Sequence, residues 1–386
     1  MTIKESTANA WYSSLSGAAL RGSWYQIDLG AIRHNYRQIR RHLSLETKIY
    51  ACLKRNAYGC GAGPVAAALA EENVDGFAVA SIIDAISIRN GGITSPILLY
   101  PGALPVAASA IETLGLIPTI SSLDELRQWR SAIRTLRIFL KVDLGFFRAG
   151  ATPLQIIDIL AEAAADPNVT VEGIYAHMSE LPNSAESEAY NQFEIMKRTL
   201  TDALSIGVPL PIVMMSSTDS VLQYPEMDFD AVDPGALFIG LSDRGPPKRN
   251  VILRPALTEI AASLVSVKRL DASLGPLPAI PGLHAGMTLG VIGMGWGDGL
   301  PRNIPSGATA LVRGKRARLL PPAHLEHIRI DLTDVPDAAF GDRVILLGKQ
   351  GEEHIDHDEA AHFWGTDTMG LYAHLRDHIP RVYIQS

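Results

Sequence analysis

The sequence predicts an α/β protein: a (β/α)8 barrel followed by a mainly β C-terminal domain. Two observations carry this. From Asp28 to about Arg254, short apolar runs alternate with amphipathic stretches of helical period. From Pro255 onward that period mostly gives way to alternating segments punctuated by Gly and Pro. Near-continuous apolar strands separated by helices are covered on both faces, as in a parallel barrel.

The strand candidates of the first region are Ile49–Leu53, Gly76–Ala80, Ile97–Tyr100, Pro118–Ile120, Ile138–Val142, Val171–Tyr175, Ile212–Met215 and Ala236–Ile239. Helical patterns lie at Ile32–Leu43, from Pro64 to Glu72, and at Ile83–Asn90, Leu123–Ile133, Leu154–Ala165 and Ala189–Ile206. In the second region Leu257–Val267, Met287–Met294, Ala308–Val312, His327–Leu332 and Val344–Leu347 read as strands. A last helix, Thr366–Arg376, precedes a terminal strand, Arg381–Gln385. The expected division is 1–31 as an N-terminal arm and a strand packing with the β-domain, 32–254 as the barrel, and 255–386 as the β-domain. The stretch Met1 to Ala19 is rich in Ser, Thr and Ala without an apolar core, which fits a loose arm and not a secretory signal.

Composition narrows the classes of function. With 386 residues, 47% hydrophobic and 19% charged, the chain has room for two domains of a soluble α/β protein. A net charge of −7 offers no basic stripe, so nucleic acid is not an expected partner. No stretch approaches the roughly 20 apolar residues of a membrane span. The cysteines, Cys52 and Cys60, lie in one short motif and form no disulfide framework, which favours the cytoplasm. No residues are assigned to a metal.

In a parallel barrel the functional groups gather at the C-terminal ends of the strands. Lys54 follows the run Ile49–Leu53 and opens Lys54-Arg55-Asn56-Ala57-Tyr58-Gly59-Cys60-Gly61. Beside apolar side chains an ammonium loses solvation, which favours the free amine that a nucleophile or base requires. The spacing alone fits equally a surface lysine at the start of a loop. The stretch resembles the cofactor-lysine motif of the alanine racemase family, Lys-Ala-Asn-Ala-Tyr-Gly-His-Gly, and differs from it at Arg55 and Cys60. The segment from Trp24 to Asn35 is similar to that family's entry segment. The resemblance continues in order to about Tyr383.

The resemblance implies the fold-type III architecture and pyridoxal phosphate (PLP), held by Lys54 as a Schiff base. It implies a phosphate cradle at Gly235 and Ala236, joined by the hydroxyl of Thr218 in Ser217-Thr218 and by the phenol of Tyr58. Taken alone, these residues also fit a routine turn and a core tyrosine. In Lys141-Val142-Asp143-Leu144-Gly145-Phe146-Phe147-Arg148, the matching arginine is Arg148, which in the family touches the cofactor phenolate and the substrate carboxylate. A guanidinium fork suits that pairing. Lys141 matches a lysine that is carbamylated in many members. His177 matches a strand-end histidine beside the cofactor ring, although a lone histidine after a strand is more often structural.

Three departures bear on the chemistry. Asp233-Pro234-Gly235 stands where the family has Arg-Pro-Gly. That arginine keeps the pyridine nitrogen unprotonated, whereas an aspartate would pair with a protonated ring and deepen its electron sink. If the alignment is shifted, Asp233 instead faces solvent. The family's opposite-face base is a tyrosine supplied by the partner subunit, and Ser273-Leu274-Gly275-Pro276-Leu277-Pro278 contains none. Substrate-side positions are also rebuilt. The family's Met-Asp reads Leu325-Glu326, its Tyr-Glu reads Met369-Gly370, and the tyrosine of Gly-Tyr-Ala-Asp-Gly is Trp296. His324, Glu326 and Tyr372 are candidates for the missing acid/base, unless they are plain surface residues.

The expected activity is PLP chemistry at Cα of an amino acid. The leading form is an amino-acid racemase or epimerase of altered specificity. The alternatives are a lyase or aldolase, a decarboxylase, an amino-transferring enzyme and, last, a non-catalytic PLP-binding protein. The expected catalytic residues are Lys54, Arg148, His177 and Asp233, and the expected substrate contacts are Arg148, Trp296, Leu325 and Glu326. The expected partners are a small amino-acid substrate and a second copy of the chain, in a homodimer with shared active sites.

Overall fold

The computed structural model describes residues 21–179, 186–242, 247–271, 273 and 275–386. Two compact units emerge, one of residues 30–254 and one combining the N-terminal segment to Leu29 with Pro255–Ser386. The stretch from Met1 to Ala19, read from the sequence as a loose arm, lies outside the described residues.

The first unit is a closed parallel barrel of eight strands: β2 (Lys48–Cys52), β3 (Gly76–Val79), β4 (Ile97–Leu99), β5 (Leu116–Ile120), β6 (Leu136–Val142), β7 (Val169–Ala176), β8 (Ile212–Met214) and β9 (Ala231–Val232). Helices α1 (Leu29–Arg40), α2 (Ala62–Ala70) and α3 (Ile82–Asn90) precede or follow the first strands. The later barrel helices include Leu123–Ala132, Pro153–Ala165 and Glu186–Ser205. Their starts follow local chemistry. Ser81 and Ser122 cap by accepting the N–H of Asp84 and Glu125, and Thr152 forms a capping box with Gln155 behind a proline at the first helical position.

One inward residue from each strand builds the barrel core: Tyr50, Ala78, Leu98, Ile117, Phe139, Tyr175, Met214 and Ala231. Two wide rings in that layer lie against glycines on the neighbouring strand. Tyr50 pairs with Gly76, where a Cβ would lie 2.7 Å from the ring, and Phe139 pairs with Gly173, where a Cβ would overlap the ring. The rings then meet edge-on, Tyr50 with Phe139 at 5.8 Å and Phe139 with Tyr175 at 6.3 Å between centroids. The large residues fit because their cross-strand neighbours have no side chain.

The sequence places the eighth strand at Ala236–Ile239, and the structure corrects this. The strand is Ala231–Val232, and Ala236–Ile239 form a 3-10 turn. Pro234 has no N–H for a ladder, and the N–H groups of Gly235 and Ala236 point to the Thr218 hydroxyl. The correction matters for the site, because it puts Asp233 at the C-terminal end of a barrel strand.

The second unit is a nine-stranded sheet. Its axis is the long strand Leu257–Arg269, which pairs antiparallel with β1 (Ser23–Asp28), Thr288–Ile292 and Arg343–Gln350. The terminal strand Arg381–Ile384 runs parallel to β1. Lys315–Leu320 and Glu353–Ile355 add strands that the sequence pattern missed, the expected last helix forms over Thr368–Ala373, and a further helix, His357–Trp364, precedes it and ends at Gly365 in the left-handed region.

Replacing Gly173 by alanine is expected to overpack the Phe139 ring and lower the unfolding free energy by about 1–3 kcal/mol. Urea denaturation of both proteins, compared at equal m-value, measures the change.

Candidate functional site

The site begins with an unusual backbone. Cys52 ends β2, Leu53 and Lys54 follow, and the next four residues, Arg55, Asn56, Ala57 and Tyr58, have φ of 56, 56, 52 and 55°. A left-handed turn of non-glycine residues costs roughly 1–2 kcal/mol per residue and is kept only where its surroundings enforce it. Here Asp84, buried in the first turn of α3, accepts the Asn56 N–H at 3.0 Å, and Asn56 Oδ1 accepts the Ala62 N–H at 2.7 Å. The turn brings Lys54 Nζ to 5.8 Å from the centre of the Tyr58 ring.

The Tyr58 hydroxyl reaches Gly235, where a Cβ would overlap it, so this position has to be glycine. The N–H groups of Gly235 and Ala236 both donate to Thr218 Oγ1, each at 3.2 Å. Two amides and two hydroxyls thus meet at a place without a side chain, a donor set that suits a phosphate. Tyr58 stays a phenol, since burial and then the neighbouring Cys52 push it well above its ordinary value. Cys52 and Cys60 are both buried and form no disulfide.

The loop after β6 carries the arginine. Asp143 Oδ1 accepts the N–H groups of Gly145, Phe146 and Phe147 at 2.9–3.1 Å, which folds the loop back so that Ala151 rejoins Val142. The Arg148 guanidinium lies 4.6 Å over the Phe146 ring, and the same ring stacks on His177 at 5.9 Å. Lys141, near the end of β6, is buried over the Tyr175 ring at 5.6 Å. Burial, then Arg148, lower its amine to about 8. His177 is lowered further, to about 3, first by burial and then by Arg148, Lys54 and Lys141. Three cations around one imidazole keep it neutral and make the barrel mouth a place for anions.

Asp233 is 5% exposed and, with Asp143, supplies negative charge among these groups. Its Oδ2 accepts a hydrogen bond from Tyr100 Oη at 2.6 Å. Tyr100 was not among the residues picked from the sequence. The signal was present, since it closes the apolar run Ile97–Tyr100 at the functional end of a barrel strand.

The barrel therefore brings together Lys54, Tyr58, Arg148, His177, Thr218, Asp233, Gly235 and Ala236. Trp296, Leu325 and Glu326 belong to the other unit and are grouped there. The Trp296 N–H donates to His324 O at 2.9 Å and the Gly297 N–H to Leu325 O at 2.8 Å. Asp298, buried below Trp296, pairs with Arg21 and lies 3.1 Å from His378, and Arg21 is 3.8 Å from Glu326. Of the acid/base candidates, His324 is exposed and bonds Arg329 at 2.7 Å. Tyr372 is corrected to a core residue: its hydroxyl accepts the Leu257 N–H at 3.2 Å, its ring stacks on His357, and it is 1% exposed. Among the described residues no group of His, Cys, Asp or Glu is placed to hold a metal ion, and no helix is long and apolar enough to cross a membrane.

A parallel barrel with cations and an amide cradle at its strand ends, joined to a mainly β domain, defines a class of two-domain barrel proteins. Comparison narrows the class. Residues 27–243 match the alanine racemase N-terminal domain and residues 282–383 the alanine racemase C-terminal domain. The chain belongs to the alanine racemase family. It is 30% identical to the alanine racemase of Symbiobacterium thermophilum over 373 residues, which cover 94% of this chain and 97% of the relative. With that of Halothermothrix orenii the identity is 27% over 377 residues, with the same coverage. The crystal structure of alanine racemase from E. faecalis superposes with a TM-score of 0.83 at 26% identity, covering 94% of this chain and 98% of that one. Alanine racemase from Bacillus anthracis with bound L-Ala-P gives 0.84 at 25%, covering 95% and 96%.

The depressed pKa of His177 has a signed consequence. Between pH 6.5 and about 3 the unfolded chain binds a proton here that the folded chain does not. The stability from this group is complete above pH 6.5 and is lost as pH falls toward 3, by about 1.4 kcal/mol per unit. His177→Gln is expected to flatten that part of the acid limb in urea titrations. In the unaltered chain the His177 Cε1 proton is expected to show no NMR midpoint above about pH 5.

Proposed function

We propose that this protein is a PLP-dependent enzyme acting at Cα of an amino acid, an amino-acid racemase or epimerase of altered substrate specificity. The observation that carries the reading is Lys54 at the end of β2, joined through Tyr58 to the cradle of Thr218, Gly235 and Ala236. Lys54 would hold the cofactor covalently, and the cradle with Tyr58 would take its phosphate. His177 would pack beside the ring, Arg148 would engage the ring oxygen and the substrate carboxylate, and Asp233 would pair with the ring nitrogen. When bound, PLP supplies an electron sink that makes the Cα proton acidic.

The chain's own residues divide the remaining tasks. Lys54 Nζ takes or returns the Cα proton on its face. Arg148 orients the carboxylate, and its place over Phe146 restricts the fork to one plane. His177, lowered to about 3, is neutral at working pH, so it orients groups and donates no acid proton. Lys141, lowered to about 8, is in part a free amine near neutral pH, the form that takes up carbon dioxide as the family's matching lysine does. Trp296, Leu325 and Glu326 replace smaller or differently shaped family residues on the substrate side, which supports a substrate other than alanine. A cytoplasmic homodimer with shared sites completes the reading.

A lyase or amino-transferring activity is the competing reading, favoured by Asp233 at a strand end and by the lack of tyrosine in residues 273–278. A non-catalytic PLP-binding protein fits less well, because the match to the second family domain spans residues 282–383.

Incubation of the purified protein and PLP with D- and L-amino acids, followed by chiral analysis and mass spectrometry, is expected to show interconversion of enantiomers. Products of altered mass would replace the racemase reading by the lyase or transfer one. Borohydride reduction and peptide mapping are expected to place the pyridoxyl group on Lys54, and a label elsewhere would end both readings. Asp233→Arg is expected to cut kcat by tenfold or more, about 1.4 kcal/mol of activation barrier per tenfold.

A further inference from the structure

Asp233 and Tyr100 come from β9 and β4, strands that do not pair, and their side chains meet at the barrel mouth with Tyr100 Oη 2.6 Å from Asp233 Oδ2. We propose that Tyr100 is the positioning residue for Asp233, its phenol fixing the carboxylate and keeping it ionised toward the ring nitrogen of PLP. The proposal rests on the assignment of Asp233 made above.

The distance is that of an O–H donor on an ionised acceptor. The direction of donation is set, because burial and then the Asp233 charge hold the Tyr100 phenol well above its ordinary value. A carboxylate buried without such a donor drifts toward its neutral form and then offers a pyridinium no counter-charge. A carboxylate has several lone-pair sites, so accepting from Tyr100 does not exhaust it.

Tyr100 is itself held in place. Its backbone N–H donates to Val79 O at 2.8 Å, and its ring lies against Tyr175 at 5.9 Å between centroids. The Tyr175 hydroxyl meets Thr119 Oγ1 at 3.0 Å, and Thr119 donates to Leu99 O at 2.9 Å. Other titratable groups that interact with Asp233 are Tyr58 from the β2 side, Lys141 from β6 and Tyr175 from β7, while Cys52 acts on Tyr58 and Tyr100. Of the tyrosines among these, Tyr58 is directed to Cys52 at 3.7 Å and Tyr175 to Thr119. Lys141 adds a favourable charge, and Tyr100 adds the directed hydrogen bond.

The test reads the ring nitrogen directly, by NMR of the holoenzyme loaded with nitrogen-15-labelled PLP. In the unaltered enzyme the nitrogen is expected to stay protonated from about pH 6 to 9, and in Asp233→Asn to lose that proton. In Tyr100→Phe, which keeps the ring packing, the midpoint is expected to fall by roughly one to two pH units. A Tyr100→Phe profile that matches the unaltered enzyme, with Asp233→Asn deprotonated, would overturn the role of Tyr100 and leave Asp233 standing. A nitrogen unprotonated throughout in the unaltered enzyme would overturn both. A second measurement follows the Asp233 carboxyl by carbon-13 NMR in the cofactor-free chain. Its midpoint is expected to rise in Tyr100→Phe and to fall when Tyr100 is replaced by a ring-fluorinated tyrosine, a stronger donor of the same shape; no movement in either would also overturn the proposal.

Discussion

The barrel's functional end depends on the left-handed turn that follows Lys54. Four non-glycine residues in that region are unfavourable by several kcal/mol in sum, and the Asp84–Asn56–Ala62 hydrogen bonds hold them there. The turn couples two tasks that lie four residues apart in sequence. It leaves Lys54 at the strand end and turns Tyr58 back so that its hydroxyl lies on Gly235. A right-handed turn would carry Tyr58 away from the cradle. The amine and the phosphate contact therefore form as one unit, and Asp84, which touches neither, ties that unit to the first turn of the next helix but one.

Around this turn the electrostatics separate the roles of similar groups. Lys54, Lys141 and Arg148 act on the same buried imidazole and hold it neutral. Lys141, also buried, is pulled toward its free amine by desolvation and Arg148, while Asp233 and Asp143 oppose the change. Asp233 thus balances a cluster that would otherwise repel itself, beyond any contact it makes with a ligand. Its position at the end of β9, forced by Pro234 and by the amides that turn to Thr218, is what lets one carboxylate do both.

Most of the barrel was legible in the sequence because its strands are continuous apolar runs and its helices carry capping residues. The eighth strand was not. It is two residues long, and the apolar run Ala236–Ile239 beside it mimics a strand while its first amide is taken by a side-chain hydroxyl. Lys315–Leu320 was missed because lysine and arginines alternate with its core residues, an edge-like pattern that reads as a turn. In the site, motif positions located the lysine, the cradle and the arginine. Tyr100 and Asp84 escaped notice because their importance lies in contacts made 133 and 28 residues away, and the strand-end position of Tyr100 does not by itself name its partner.

The same long-range contact bears on how the chain departs from its family. The alanine racemase structures from E. faecalis and Bacillus anthracis share its fold, with TM-scores of 0.83 and 0.84 at 26% and 25% identity, so the departures expected from the sequence would be changes of side chain on a kept scaffold. At position 233 the family's arginine would bring only donors, whereas the Tyr100 phenol, which burial keeps protonated, can donate or accept. Opposite an arginine the phenol could only accept, and the 2.6 Å hydrogen bond it donates to a carboxylate here would be lost. An aspartate at 233 thus gives the Tyr100 proton a charged acceptor, and Tyr100 gives the buried carboxylate a donor. On the proposed reading that pair sets the charge of the ring nitrogen, and with it how far the cofactor can spread the negative charge from Cα. The choice between racemase and lyase-type chemistry then turns on two residues inside the barrel, before any contact with the substrate side chain is made.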